Sequence, residues 1–307
     1  MNIDQLISLI ASITLFEMMV SIGLGVTLPD VLGVVKDWRL VTKAAIANYV
    51  CVPIAALGLL LWFAPPPLIA AGFLIAAVCP GAPYGPPLTG LAKGNGVASV
   101  GLMIVLAGSS AFFAPVLLHF LLPFTSGDEV MQIDVIKMIS TLLITQFLPL
   151  CLGLAARQWR PALAKRLQSP ANVLSVILNL TLLGVVIFVQ REMLLGIPLR
   201  AFLGMFELVF AAAAAGWLLG GPGARERTAM VMATSVRNVG VALVIATASF
   251  PGTPAVTATT AFAIFQTIVM VLAALVWGKW VSARAPEARE RPKIEEGIQP
   301  AATAGNG

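Results

Sequence analysis

The chain has 307 residues, of which 59% are hydrophobic and 11% charged, and its mean hydropathy is +0.94. A soluble domain carries roughly a quarter charged residues, so this chain cannot coat itself with polar surface and its solvent is lipid. The net charge of +5 does not point to nucleic acid, because the basic residues sit mostly in short loops between apolar blocks, where they set membrane orientation.

The apolar blocks run to about 20 residues, enough to span a bilayer as a helix. The short alternating segments of a membrane barrel are absent, so the expected fold is an all-α polytopic membrane protein. Nine segments follow one another, at 5–28, 40–63, 67–92, 97–122, 134–156, 170–190, 198–220, 226–249 and 254–281. The first has neither a basic region before it nor a small-residue cleavage site, and reads as a retained helix. Residues 1–282 form one transmembrane domain, and the polar stretch 283–307 reads as a disordered cytoplasmic tail.

Loop charge gives the orientation. One set of loops carries Lys36, Arg39, Lys93, Arg157, Arg160, Lys165, Arg166, Arg225 and Arg227, and the C-terminal tail adds more. The other set holds Lys137, Arg191 and Arg200, with Asp128, Glu129 and Asp134 among them. This asymmetry predicts an inner-membrane protein with its N-terminus outside and its C-terminus in the cytoplasm.

Two segments look broken. The third contains Cys79-Pro80-Gly81-Ala82-Pro83-Tyr84-Gly85-Pro86-Pro87, which cannot continue as a helix. The eighth contains Thr234-Ser235-Val236-Arg237-Asn238-Val239-Gly240, polar at its middle. Paired interruptions in corresponding positions mark an inverted-repeat transporter with a midplane site.

Arg237 is the most informative residue, since a charge deep in the bilayer is costly unless paired or hydrated. It reads as an anion contact or built-in cation, or else as the ion-pair partner of Glu17 or Glu207. Those two acids are themselves candidate ion-binding or proton-relay groups. Half-helix amides favour anions, and unwound carbonyls favour cations. The candidate substrate residues are therefore Arg237, Asn238, Ser235, Thr234, Pro83, Gly85, Thr89 and Gln266, with Ser99 a candidate ion ligand. Asn95, Ser109 and Ser110 are further cavity candidates, although taken singly Thr89, Asn95, Ser99, Ser109, Ser110, Asn238 and Gln266 each read more readily as an interhelical bond.

Enzyme chemistry finds no footing. His119 is the single histidine, and no metalloprotease, P-loop or nucleophile-elbow pattern appears. Cys51, Cys79 and Cys151 read as packing residues, with no metal or other cofactor implied.

Several motifs carry a resemblance. Gly23-Leu24-Gly25-Val26-Thr27-Leu28-Pro29-Asp30 resembles the end of an early helix in the sodium-dependent bile acid transporter family. Cys79-Pro80-Gly81 followed by Leu91-Ala92-Lys93-Gly94-Asn95 resembles its first crossing helix. Arg237-Asn238-Val239-Gly240-Val241-Ala242 leading to Ser249-Phe250-Pro251 is similar to its second. The resemblance implies core and panel domains, two inverted repeats and broken helices that cross, here in a nine-helix variant. The family pattern binds two sodium ions through positions occupied here by Gly85-Pro86, Met103, Ala233 and Arg237. Ser99 and backbone carbonyls remain as oxygen ligands for a hard cation. A carboxylate is gone and a cation has appeared, so transport is expected to need little or no sodium, with proton coupling the other option.

The resulting expectation is a secondary transporter of a small organic anion working by alternating access. A non-transporting sensor or scaffold of the same fold is the alternative, disfavoured by a tail too short for an output domain. The sequence specifies no oligomeric state.

Overall fold

A computed structural model of the chain describes residues 3–125 and 133–284. Asp128, Glu129 and the tail beyond Arg284 lie outside the described residues. Among the described residues every regular element is helical. The main helices are α1 (Ile3–Gly25), α2 (Leu28–Lys36), α3 (Trp38–Phe63), α4 (Pro67–Ala77), α5 (Gly85–Leu91) and α6 (Gly96–Leu121). They continue with α7 (Val135–Trp159), α8 (Pro161–Val189), α9 (Leu199–Leu219), α10 (Ala224–Ser235), α11 (Val239–Ser249) and α12 (Pro254–Arg284).

Eight helical stretches among the described residues are long and apolar enough to cross a membrane, with α10 and α11 counted as one; α4 is apolar but shorter. The chain is thus a polytopic membrane protein. The boundaries follow the apolar segments closely, with two differences. The sixth segment begins at Pro161 rather than near residue 170, because the helix runs through Pro170, which a membrane helix tolerates. The stretch after the first segment is a helix rather than a loop. Thr27 Oγ1 accepts from the Asp30 amide and the Asp30 carboxylate accepts from the Thr27 amide, a reciprocal cap that starts α2.

Small residues allow close packing, as expected where lipid removes the hydrophobic drive between helices. A Cβ placed on Gly23 of α1 would lie 2.7 Å from the Gly153 Cα of α7, so these two backbones touch. A Cβ on Gly72 of α4 would lie 2.2 Å from the Ala255 carbonyl oxygen of α12. Helix α1 also lies along α8 and α11, and α9 lies along α10. The most apolar stretch of Ala224–Ser249 is 89% buried and that of α8 only 11%. The broken α10–α11 element is therefore central, and α8 turns most of its surface outward.

Two helices carry a π turn: Ala47–Cys51 in α3 and Leu143–Phe147 in α7. Such bulges widen the turn and frequently occur at functional sites. Each places polar side chains inward, Asn48 and Tyr49 from α3 and Gln146 from α7.

Candidate functional site at the crossing of two broken helices

Helix α4 ends at Ala77, and the chain runs without regular helix to Gly85. Pro80 and Pro83 lie in this gap. Pro86 and Pro87 do not interrupt a helix as the sequence suggested; they sit in the first turn of α5, where a missing N–H costs nothing. Gly81 takes a left-handed φ of +81°, and a Cβ there would lie 2.3 Å from the Ala107 amide nitrogen. Glycine is required at this position by both conformation and space.

The second gap spans Val236 to Asn238 between α10 and α11, and it is hydrogen-bonded directly to the first. The Asn238 amide donates to the Cys79 carbonyl at 2.7 Å, and Asn238 Nδ2 donates to the Gly81 carbonyl at 3.2 Å. Asn238 Oδ1 meanwhile accepts from the Val241 amide at 3.2 Å and caps α11. Gln266 of α12 clamps the same gap: its Oε1 accepts from the Arg237 amide at 3.0 Å and its Nε2 donates to the Arg237 carbonyl at 3.1 Å. Unwound backbone in a membrane must find such partners.

Arg237 is 2% exposed. Its Nη1 donates to the Ala77 carbonyl at 3.2 Å, and its Nη2 donates to Asn48 Oδ1 at 2.7 Å and to the Thr234 carbonyl. These are uncharged oxygens from α3, α4 and α10, and Nε makes no hydrogen bond. The alternative ion pairs with Glu17 or Glu207 do not form among the described residues. The Glu17 carboxylate instead accepts from Ser175 Oγ at 2.5 Å, and Glu207 lies on an exposed face of α9. A guanidinium presents five donors in a fixed plane, so one side chain here ties three elements at the crossing.

Of the remaining candidates, Thr89 and Ser99 bond each other at 2.8 Å, and Thr89 also donates to the Gly85 carbonyl. They form a separate contact that holds α5 against α6. Thr234 Oγ1 turns back to the Met230 carbonyl, and Ser235 Oγ is buried without a partner. Asn95 caps α6 and reaches Glu226 at 3.3 Å. Ser109 bonds Tyr49, and Ser110 accepts from Gln146.

A cavity of about 320 Å³ adjoins both gaps, lined by Tyr84, Asn179, Val239, Leu243, Ala263 and Thr267 among others. Its size suits a small ligand. Tyr84 closes the first gap and accepts a hydrogen bond from Asn179 Nδ2 of α8. Val239 opens α11, whose first-turn amides lack helical acceptors. Arg237 does not line this cavity; its guanidinium is bonded to Asn48, Ala77 and Thr234 instead. A larger cavity of about 470 Å³ lies beside Phe63, Phe73, Ile197 and Pro254 and touches neither gap. Sequence reasoning missed Asn48, Tyr84, Asn179 and Thr267. Asn48 and Asn179 were visible as lone amides in apolar segments.

A polytopic helical membrane protein with two broken helices bonded at their gaps, beside a small cavity, has the makings of a carrier. The sodium bile acid symporter family model matches residues 12–197, and the chain belongs to that family. It is therefore a transporter of the bile acid symporter type. The chain is 27% identical over 280 residues to a protein of Bacillus subtilis (strain 168) described as the uncharacterized sodium-dependent transporter YocS, covering 88% of this chain and 84% of that one.

Proposed function

We propose that this chain carries a small organic anion across the bacterial plasma membrane by alternating access, and that the Arg237 guanidinium stands in for a bound sodium ion. The chain crosses nine times on this reading, with α4–α5 and α10–α11 each making one interrupted crossing. Helices α3–α6 and α9–α12 form the two inverted halves of a core, and α1, α7 and α8 form the panel that faces it. The anion occupies the cavity beside Tyr84, Asn179 and the start of α11, near the partial positive end of that helix.

The observation that carries the sodium reading is the bonding of Arg237. Two carbonyls and a side-chain amide oxygen from separate elements make an oxygen set of the kind a hard cation takes, and the guanidinium's donors are already directed at all three. The relative's description names it sodium-dependent; this chain carries a fixed charge among the oxygens at its crossing. The site thus keeps a positive charge near the crossing without loading an ion, which lowers the cost of bringing an anion there.

The test is uptake of labelled organic anions into proteoliposomes in choline and in sodium buffer. Equal uptake in both is expected, and Arg237→Gln should abolish the uptake in choline. A strict, saturable sodium requirement in the unmodified chain would overturn the assignment of Arg237.

A further inference from the structure

A tethered guanidinium is never released, so it supplies charge but cannot drive accumulation. If the chain is a carrier, as proposed above, coupling its cycle to an ion requires some other group to load and unload that ion. The structure contains a second polar construction that fits this need. Three side chains of α8 stand at spacings of three and four, Asn172, Ser175 and Asn179, so they share one helix face. Each is hydrogen-bonded across a seam. Ser21 of α1 donates to Asn172 Oδ1 at 2.7 Å, Ser175 donates to Glu17 Oε2 at 2.5 Å, and Asn179 donates to the Tyr84 hydroxyl. The rungs are three separate pairs about one helical turn apart, and the last of them stands at the cavity that Tyr84 and Asn179 line.

Glu17 is the one carboxyl among these pairs. It lies mid-way along the Gln5–Gly25 span and is partly buried. No cation faces it from the elements packed on α1. Helix α8 carries Lys165 and Arg166 only in its first turns, and α7 carries Lys137 and Arg157 only toward its ends, with Cys151 exposed. Helix α11 has no titratable side chain, and the residues of α1 that meet its start at Gly240 are Leu15 and Met18. The sole polar contact found for the carboxyl is the Ser175 hydroxyl. A hydroxyl donates to a carboxylate and accepts from a carboxylic acid equally well. Both protonation states of Glu17 are therefore hydrogen-bonded without movement of the backbone, which a loading site requires and a structural ion pair does not provide.

We infer that Glu17 is the proton-binding site of the carrier, its Ser175 partner standing four residues along α8 from the Asn179–Tyr84 pair at the substrate cavity. In one cycle a proton from the source side binds a Glu17 carboxylate oxygen while the anion enters the cavity. After the access change the O–H bond breaks and the proton leaves to the opposite side with the anion. A monoanion then crosses without net charge movement.

Two measurements test this. The first needs no substrate: pH-difference infrared spectroscopy of the full chain in liposomes. A titrating carboxylic C=O band should be absent in Glu17→Gln and shifted in Ser175→Ala, a variant that keeps the carboxyl. A band unchanged in Glu17→Gln overturns the assignment. The second traps a pH-sensitive dye in proteoliposomes and supplies labelled taurocholate, lactate or benzoate outside, corrected for protein-free liposomes. Uptake should acidify the lumen in the unmodified chain, and Glu17→Gln should lose that acidification. Uptake without acidification refutes the proton site and leaves anion transport standing. If no probe enters, the transport reading is what fails, and the infrared band still decides Glu17.

Discussion

The amide of Asn238 donates to the carbonyl of Cys79 across 2.7 Å, so the two interrupted helices are joined backbone to backbone where neither has helical partners of its own. The Asn238 side chain adds a bond to Gly81 and a cap on Val241. Asn238→Ala removes both and leaves the buried Gly81 carbonyl without that donor. The expected loss is about 2–3 kcal/mol of stability, combining roughly 1 for the cap with 1–2 for the bond. Thermal unfolding in detergent measures it. Asn238→Asp keeps the cap and loses the bond to Gly81, and should fall between the two.

Arg237→Gln removes a buried charge and strands Asn48 Oδ1 and the Ala77 and Thr234 carbonyls. Each buried oxygen left without its donor costs about 1–3 kcal/mol, so folded yield in choline should drop sharply. Sodium should partly restore it, because the emptied oxygens bind a cation. The gain is about 1.4 kcal/mol at ten times the Kd. The unmodified chain should show the same melting temperature in sodium and choline. A sodium-dependent rise in the unmodified chain would count against the filled site.

Gly81→Ala forces a side chain into a left-handed conformation and onto the Ala107 backbone. The conformational part alone costs about 1–2 kcal/mol, and the collision cannot be relieved by a rotamer change. Size-exclusion chromatography should show little monodisperse protein. Gly85→Ala, where nothing lies within 4 Å of the added Cβ, should behave as the unmodified chain does.

Tyr84→Phe deletes the acceptor for Asn179 in the cavity wall. Loss of one neutral bond of about 0.5–1.5 kcal/mol predicts a KM increase of roughly 2- to 12-fold for the transported anion, at unchanged surface expression. Concentration-dependent uptake checks it.

The charge asymmetry of the loops predicts the orientation. Reporter fusions after Pro123 and Phe250 should read outside, and fusions after Arg160 and Arg284 inside. A cytoplasmic reading at Phe250 would remove the nine-crossing arrangement.

Most of the helices were legible because lipid imposes a length and an apolar composition that a single sequence displays. The first gap was legible for the same local reason, since Pro80, Gly81 and Pro83 leave the backbone no helical option. The second was marked by Arg237 and Asn238, whose polarity has no place in a lipid-facing helix. What could not be read was partnership. Arg237 meets Asn48 across 189 positions of chain and Glu17 meets Ser175 across 158, and nothing local to either residue encodes the other. The alternative pairing of Arg237 with Glu17 or Glu207 is not made, because helix packing turns Glu17 to α8 and leaves Glu207 outside. Helix α2 was missed although Thr27 and Asp30 have the spacing of a reciprocal cap, because the stretch is too short and too mixed in polarity to stand out beside the long segments.

The contact between Gly23 and Gly153 has a mechanical consequence. Where α1 and α7 meet there are no side chains between the backbones, so nothing at that point can change rotamer, and neither helix can roll or slide without collision. These two helices behave as a riveted plate. Slippage is left to seams filled by pliable side chains, such as the one where Met18 and Leu15 of α1 rest on Gly240 of α11. An unbranched thioether adapts to a changing surface more readily than backbone does. On the proposed alternating-access reading the bearing surface is therefore the seam beside the second gap, and a disulfide engineered across that seam should arrest uptake.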